Sequence, residues 1–357
     1  MNVYAIIDSF AYRVDMRRRR RRADGRVDRF PLAKLTSEEK QQARQRWDGC
    51  SLKGFQFYKA YCGKIDPNCV PADYYDFVEH VLNLRWSSFF LQHKCNLKYF
   101  IPAEHRPKTI LQKIDGHWVT EDNVEVNQDE AVAMLKKHEV MVGKIAMGTG
   151  GGKGVQKFYA EDITFDNKNF RDLMQQHDVV FQKVLRQNDF LNQFNADSVN
   201  TFRIVTLNLN GKCSVLTAVF RMGAKGSFVD NLTSGGGMLV GIKQDGSFHD
   251  FGIRKSYEKV YESPTGLVFK GMKVPNWEEI KQTVMAFHQH IPYANLISWD
   301  ITLDQDGNIV VVEVNLDSGE LEIYQLYNGP IFGDRLDEVR AYVESRKPSL
   351  RHAMITY

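Results

Sequence analysis

The sequence predicts a mixed α/β (α+β) fold in which helices come first and antiparallel strands later. Residues 72–93, ADYYDFVEHVLNLRWSSFFLQH, carry large apolar side chains at helical spacing. From about residue 106 the pattern changes to short apolar runs separated by turn residues, such as Asp115-Gly116. Beyond residue 178 the runs become strongly strand-like, and TFRIVTLNL and NIVVVEVNL are the clearest of them.

These changes of pattern divide the 357 residues into three regions. We expect a mostly helical N-terminal region over 1–105, a small subdomain over 106–180 and a larger subdomain with an antiparallel sheet over 181–357. The hydrophobic content of 43% is enough for a substantial core, and the charged fraction of 25% is ordinary.

Composition excludes several classes of protein. A net charge of +3 gives no global basic field, which argues against a nucleic-acid partner. No run of 18 apolar residues is present, so we expect no transmembrane helix. Five cysteines are an odd number at low density, which favours reduced thiols in a cytoplasmic protein over a disulfide scaffold.

Six consecutive arginines at 17–22 form a strong local charge run. One interpretation is a patch for an anionic glycan, a lipid headgroup or nucleic acid. The other, which we favour, is a solvated helix end or a mobile arm, because no aromatic residues interleave the arginines as a base-stacking surface requires.

The stretch VGKIAMGTGGGKGV (142–155) contains a glycine-rich loop after an apolar strand. It is not a Walker A loop, because Gly152-Lys153 is followed by Gly154, and it lacks the Rossmann glycine spacing. A glycine hairpin between two strands remains, and its exposed N–H groups could wrap an anion above Lys144. The alternative is a turn that holds no ligand.

A carboxylate cluster is predicted in SWDITLDQDGNIVVVEVNLDSGE (298–320). Glu313 and Asn315 are two residues apart and therefore share a strand face, and the DQDG turn (304–307) lets Asp300 pair beside them. Such oxygen donors suit Mg²⁺ together with nucleotide phosphates. The alternative is a solvent-exposed face of a hairpin.

Two arginines, Arg203 and Arg221, each interrupt an apolar strand. A permanently charged, fork-shaped donor at such a position suits a phosphoryl or carboxylate oxygen. The alternative is a pair of arginines that bridge structural carboxylates.

In this order, these sites resemble the ATP-grasp superfamily and, more narrowly, its sugar-transfer-associated branch. The resemblance covers roughly residues 53–335. The segments that carry it are HKCN, RPKTIL, VGKIAMGTGGGKGV, VFQKVLRQ, SVNTFRIVTL, VFRMGAKGSFVDN, the GGG of 235–237, VPNW and SWDITLDQDGNIVVVEVN.

The resemblance implies an ATP-grasp fold, with a lid over 106–180, and a role for each matching residue. Arg203 and Arg221 would act in catalysis, and Asp300, Glu313 and Asn315 would hold Mg²⁺. The ATP-binding residues would be Lys94, Lys144, Gly150, Gly151, Gly152, Lys153, Gly154, Gln182, Lys183 and Asn200.

The activity implied is an ATP- and Mg²⁺-dependent ligase that joins a carboxylate to an amine through an acylphosphate. The branch name suggests a substrate attached to a surface polysaccharide, such as a uronic acid joined to an amino acid. Two alternatives stay open, namely a nucleotide-binding accessory module without ligase activity and a kinase.

Overall fold

The computed structural model describes residues 3–28, 30–83, 85–149, 152–224, 226, 237–317 and 321–346. Helices dominate its first hundred residues, as the sequence predicted. They are α1 (Val3–Val27), α2 (Ser37–Arg46), α3 (Lys53–Cys62), α4 (Ala72–Leu82) and α5 (Arg85–Gln92), followed by 3₁₀ turns at Lys94–Tyr99 and Ala103–His105.

Two details of this helical region differ from the sequence expectations. The six arginines lie in the interior of α1, so they form neither a mobile arm nor a helix end. Residues 72–93 carry one continuous helical pattern but form two helices, because Asn83 caps α4 with an extended backbone.

An antiparallel six-stranded sheet follows, with the order β3-β2-β1-β6-β4-β5. Helices α6 (Gln128–Lys136) and α7 (Lys168–Gln176) pack on it around Phe158, Phe170 and Phe181. The strands are β1 (Thr109–Ile114), β2 (His117–Val119), β3 (Glu125–Val126), β4 (Val140–Ile145), β5 (Val155–Tyr159) and β6 (Val179–Lys183).

A second antiparallel sheet has seven strands in the order β11-β10-β9-β8-β7-β12-β13. The strands are β7 (Thr201–Leu209), β8 (Lys212–Met222), β9 (Met238–Ile242), β10 (Phe248–Arg254), β11 (Lys259–Val260), β12 (Leu296–Leu303) and β13 (Ile309–Asn315). The accompanying helices are α8 (Asp189–Asn192), α9 (Trp277–Gln289), α10 (Leu321–Asn328) and α11 (Leu336–Arg346).

Helices cover both faces of this second sheet. Successive strand residues point to opposite faces, and on β7 Phe202 and Ile204 join the core beneath α9. Val205 and Leu207 join the core formed with α3, α4, α10 and α11. Arg203 lies between Phe202 and Ile204 in the strand, so its side chain points away from α9, to the same face as Val205.

Asn83 joins the helical region to this sheet. Its buried side-chain Nδ2 donates to the carbonyl oxygens of Leu296 (2.6 Å) and Leu316 (2.7 Å). Its Oδ1 accepts from the backbone N–H groups of Asn295 and Leu296, both at 3.0 Å. Leu296 begins β12 and Leu316 follows β13, so one amide fixes the two strands that carry the predicted carboxylates.

We therefore predict that Asn83→Ala destabilises the fold. Loss of the amide leaves buried backbone groups without partners, which should lower the free energy of unfolding by about 2–4 kcal/mol. Urea unfolding followed by tryptophan fluorescence measures the change. Asn68→Ala, at an exposed position, is the control, and an Asn83 variant as stable as this control would contradict the clamp.

Candidate active site

A cleft of about 810 Å³ lies between the two sheets. Strands β4, β5 and β6 line one side, and β7, β8, β12 and β13 line the other. Residues 184–199, which connect the sheets, form its back, and Lys94 reaches it from the N-terminal helical region.

The carboxylate of Asp300 lies at the centre of the side chains that the second sheet places in the cleft. It is 5% exposed and lies in register with Arg203 on β7 and Glu313 on β13. Arg203 donates from Nε at 2.5 Å and from Nη2 at 2.8 Å, one bond to each Asp300 oxygen. Arg221 donates from Nη1 to the same two oxygens at 3.1 and 3.2 Å.

This arrangement keeps the Asp300 carboxylate ionised. Burial by itself would raise the pKa of Asp300, but the adjacent Arg203 and Arg221 hold that pKa below its usual range. Burial likewise opposes the charge of Arg203, yet Asp300 keeps the pKa of Arg203 well above its ordinary value. The two arginines bridge a buried carboxylate, as one of the two interpretations predicted, and both also line the cleft. Their contact with a phosphoryl or substrate oxygen stays a prediction.

Glu313 and Asn315 complete the predicted carboxylate cluster. Glu313 Oε1 lies 3.0 Å from Lys94 Nζ, and the Lys94 side chain is only 11% exposed. Asn315 Nδ2 lies 3.4 Å from Asp300 Oδ2. The hairpin thus brings all three predicted metal ligands to one face, with Lys94 beside them.

The donor set of this cluster fits Mg²⁺. Two carboxylates and one amide offer only oxygen ligands, which is the chemistry that Mg²⁺ prefers alongside phosphate oxygens. Across the described ranges, no group of three or more His, Cys, Asp and Glu side chains converges. The set is therefore too small for a metal cage made only of protein and suits an ion shared with a nucleotide.

Strands β4 and β5 pair antiparallel on either side of the glycine-rich segment, as predicted. Lys144, Thr149, Gly152 and Lys153 line the cleft. Gly154 must be glycine, because its φ is +76° and a Cβ there would lie 2.7 Å from Ile145. Gly150 and Gly151 lie outside the described residues, as do the first two glycines of the GGG at 235–237.

Gln182 and Lys183, at the end of β6, also line the cleft. Lys183 is exposed, whereas Gln182 is 5% exposed. Gln182 Oε1 is buried and accepts no hydrogen bond from the described part of the chain. A buried acceptor without a donor is costly, so this atom is suited to a ligand that donates from the cleft.

Asn200 is placed differently from the other predicted site residues. It is 0% exposed and does not line the cleft. Its Nδ2 donates to the carbonyl oxygens of Leu191 (3.0 Å) and Asn195 (2.7 Å). Its backbone N–H donates to Gln187 Oε1 at 2.8 Å. The amide therefore shapes the loop behind the cleft wall, and its predicted role in ATP binding stays a prediction.

Sequence reasoning missed several cleft residues. Lys157 on β5 and Arg186 after β6 are exposed and line the cleft. Lys157 shares a strand face with Val155, and that period-two spacing could have revealed it. Gln187, which holds the loop through carbonyl oxygens of Asn195 and Ser198, gave no local signal.

His93 precedes Lys94 and anchors the same corner to the first sheet. Its Nε2 lies 3.5 Å from Asp178 Oδ2. Burial lowers the pKa of His93 despite the nearby carboxylate. The backbone N–H of Lys94 donates to the Ala146 carbonyl at 3.1 Å, so both sheets meet at this point.

Comparison with solved structures gives distant likenesses. The ATP-grasp ligase PsnB with its minimal precursor is 15% identical, over 73% of this chain and 64% of that chain, with a TM-score of 0.42. N5-carboxyaminoimidazole synthetase of Staphylococcus aureus with ADP is 14% identical, over 64% of this chain and 45% of that chain, with a TM-score of 0.39. The biotin carboxylase domain of Hydrogenobacter thermophilus 2-oxoglutarate carboxylase is 13% identical, over 75% of this chain and 48% of that chain, with a TM-score of 0.45.

The chain spans less than two thirds of the length of each of these structures. No curated protein sequence gives a significant match. Among the helices that the structure describes, none combines the length and apolar character needed to cross a membrane.

A family model gives the assignment. It matches residues 127–341, more than half of the chain, and this range contains every strand that lines the cleft. The fold and family that the motifs predicted are thereby confirmed, and the chain belongs to the sugar-transfer associated ATP-grasp family.

Proposed function

We propose that this chain is an ATP- and Mg²⁺-dependent ligase that joins a carboxylate to an amine and releases ADP and phosphate. The observation that carries the proposal is the ionised Asp300 held between Arg203 and Arg221 at the floor of a lysine-lined cleft. Phosphoryl transfer depends mainly on positioning and charge neutralisation. A buried, ordered set of charges supplies both.

Charge balance supports a polyanionic ligand. At the floor of the cleft, the two carboxylates of Asp300 and Glu313 contact three cations, namely Arg203, Arg221 and Lys94. The exposed Lys153 and Lys183 add positive charge on the lid side. A nucleotide triphosphate with its metal ion would neutralise this excess.

Gln182 supports adenine as the base. Its buried Oε1 needs a hydrogen-bond donor, and the exocyclic amine of adenine would supply one. Guanine carries a carbonyl oxygen at the equivalent ring position and would leave two acceptors facing each other.

Asp300, Glu313 and Asn315 would hold Mg²⁺. The ion would supply charge neutralisation at the phosphate oxygens. Lys94 would stay beside Glu313 and orient it, because the two groups already form an ion pair.

The reaction we propose has two steps. An oxygen of the substrate carboxylate attacks the γ-phosphorus, the bond to the β,γ-bridging oxygen breaks, and ADP leaves. The amine nitrogen then attacks the acyl carbon of the acylphosphate, loses a proton, and phosphate leaves as the amide forms. Arg203 and Arg221 would hold the oxygens that gain charge, and the glycine hairpin would exclude water from the acylphosphate.

The family description supports an acceptor linked to a sugar. We propose a uronic-acid carboxylate of a surface polysaccharide or its precursor as one substrate and an amino acid or other amine as the second. The reaction would take place in the cytoplasm, where ATP is available and the five free cysteines remain reduced.

A product assay tests this function directly. The protein is incubated with ATP, Mg²⁺, a panel of amino acids and a panel of uronic acids. Release of ADP and phosphate that requires both an amino acid and a uronic acid supports ligation. ADP without free phosphate indicates a kinase, AMP excludes the acylphosphate route, and tight ATP binding without turnover indicates an accessory module.

Glu313→Gln should abolish ligation with the fold intact. The substitution keeps the size of the side chain but removes a charged oxygen ligand, so turnover should fall by at least about 100-fold. Steady-state kinetics measure turnover, and thermal unfolding checks the fold. Glu161→Gln, at an exposed position, should behave as wild type. Wild-type turnover in the Glu313 variant would refute the assignment.

Arg203→Lys should lower kcat far more than it raises KM. Lysine keeps the positive charge but cannot make two parallel bonds, so we expect kcat to fall by about 10²–10³-fold. The matched control is Arg254→Lys, on a half-exposed arginine of β10. If kcat is retained, Arg203 acts only as a structural partner of Asp300.

Gln182→Leu should reduce the preference for ATP over GTP. Leucine removes the acceptor at nearly constant volume, so the Kd for ATP should rise about tenfold while the Kd for GTP changes little. Competition binding with a fluorescent nucleotide measures both constants. Gln41→Leu, at an exposed position, controls for the added apolar group, and an unchanged ratio would exclude base recognition by this side chain.

A further inference from the structure

Four arginines form one exposed surface of α1. Arg17 and Arg21 are four residues apart, as are Arg18 and Arg22, so all four lie on one side of the helix. Each of them is exposed. We call this surface the arginine face.

The opposite side of α1 is fixed to the protein. Met16 and Ala23 are buried. Arg20 Nε donates to Asp73 Oδ2 at 3.3 Å, and Asp73 is 1% exposed. Rotation of the helix would therefore break the ion pair between Arg20 and the buried Asp73 carboxylate, and the arginine face is held outward.

Among the described side chains of α1, none is a counterion for the arginine face. The two aspartates of α1 whose side chains are described, and Asp28 immediately after the helix, are each engaged elsewhere. Asp15 pairs with Arg19 at 2.6 Å, Asp24 accepts from the Ser51 hydroxyl, and Asp28 pairs with Lys53 at 2.6 Å. Within the described ranges, the four arginines of the face form no ion pair.

This arrangement costs stability unless an external anion is present. Like charges four residues apart repel and weaken a helix by a few tenths of a kcal/mol per pair. The face contains two such pairs, at 17/21 and 18/22. Anions bound across the face would convert this repulsion into attraction.

The chemistry of the face selects among polyanions. Described residues of this side from 13 to 26 include no aromatic group that could stack a nucleobase and no large apolar group that could enter a bilayer. These residues present several guanidinium groups, and each can donate two parallel hydrogen bonds to the two oxygens of a carboxylate.

We infer that the arginine face binds an acidic polysaccharide chain through its uronate carboxylates. The choice of a uronate polymer rests on the proposed function, in which such a chain is the acceptor. Several weak contacts to one chain add up, so the face would retain the polymer while the cleft acts on one of its residues.

The test is a binding measurement without ATP or amine. A fluorescent oligogalacturonate is titrated with the full chain, with R17Q/R18Q/R21Q/R22Q and with the control K136Q/K137Q/K255Q/K270Q. Both variants remove four exposed positive charges, so they match in net charge. We expect the Kd to rise at least about tenfold for the arginine variant and less than about twofold for the control, with a smaller salt dependence for the arginine variant.

Two doubles, R17Q/R21Q and R18Q/R22Q, keep the test valid if the quadruple variant fails to fold. Each removes a repelling pair, so thermal stability should be retained while binding weakens. Equal loss in the arginine and lysine variants would overturn the inference. So would tighter binding of duplex DNA or of phosphatidylserine vesicles to the same arginines.

The binding test of the arginine face and the activity test of the proposed ligase can fail independently. Loss of ligation with retained polymer binding would contradict only the ligase. Normal ligation of a free uronic acid with no polymer binding would contradict only the arginine face.

Discussion

Burial of the Asp300 carboxylate in a sheet costs several kcal/mol of desolvation, which only well-placed cations offset. Arg203 and Arg221 come from two other strands, β7 and β8, and both donate to this carboxylate. The register of these strands is therefore tied to one charge, since a shift of one residue would turn an arginine to the other face.

Stability alone does not account for this cluster. Apolar side chains of similar volume often stabilise a core as well as a buried ion pair or better. The sheet around it is apolar, with β12 buried along its whole length. Charges at this position face a cleft of about 810 Å³, which fits the proposed binding of a charged ligand there. Their mutual pairing would hold them in place before such a ligand arrives and so lower the cost of organising the site.

The sequence predicted most of this arrangement, because strand alternation and turn chemistry are local. The spacing of Glu313 and Asn315 and the DQDG turn were enough to place Asp300 beside them. Pairing between strands that are distant in sequence could not be predicted from the sequence pattern. Asp300 and Arg203 are 97 residues apart, so no local pattern links them.

Asn200 shows that a position within a motif does not by itself place a side chain in the cleft. It lies in a segment that matches the family, yet its amide is consumed by the carbonyl oxygens of Leu191 and Asn195. Whether a polar residue points into a cleft or behind its wall depends on the loop, and the loop depends on long-range packing.

The helical N-terminal region belongs to the site, although the family match begins at residue 127. Lys94 comes from this region and pairs with Glu313, and Asn83 fixes the strands on which Asp300 and Glu313 lie. Without Lys94, the Glu313 carboxylate would lose the cation that pairs with it at 3.0 Å, and without Asn83 the hairpin would lose the amide contacts to Leu296 and Leu316. The matched strands therefore carry the carboxylates that face the cleft, and contacts from the preceding helical region help to position those carboxylates.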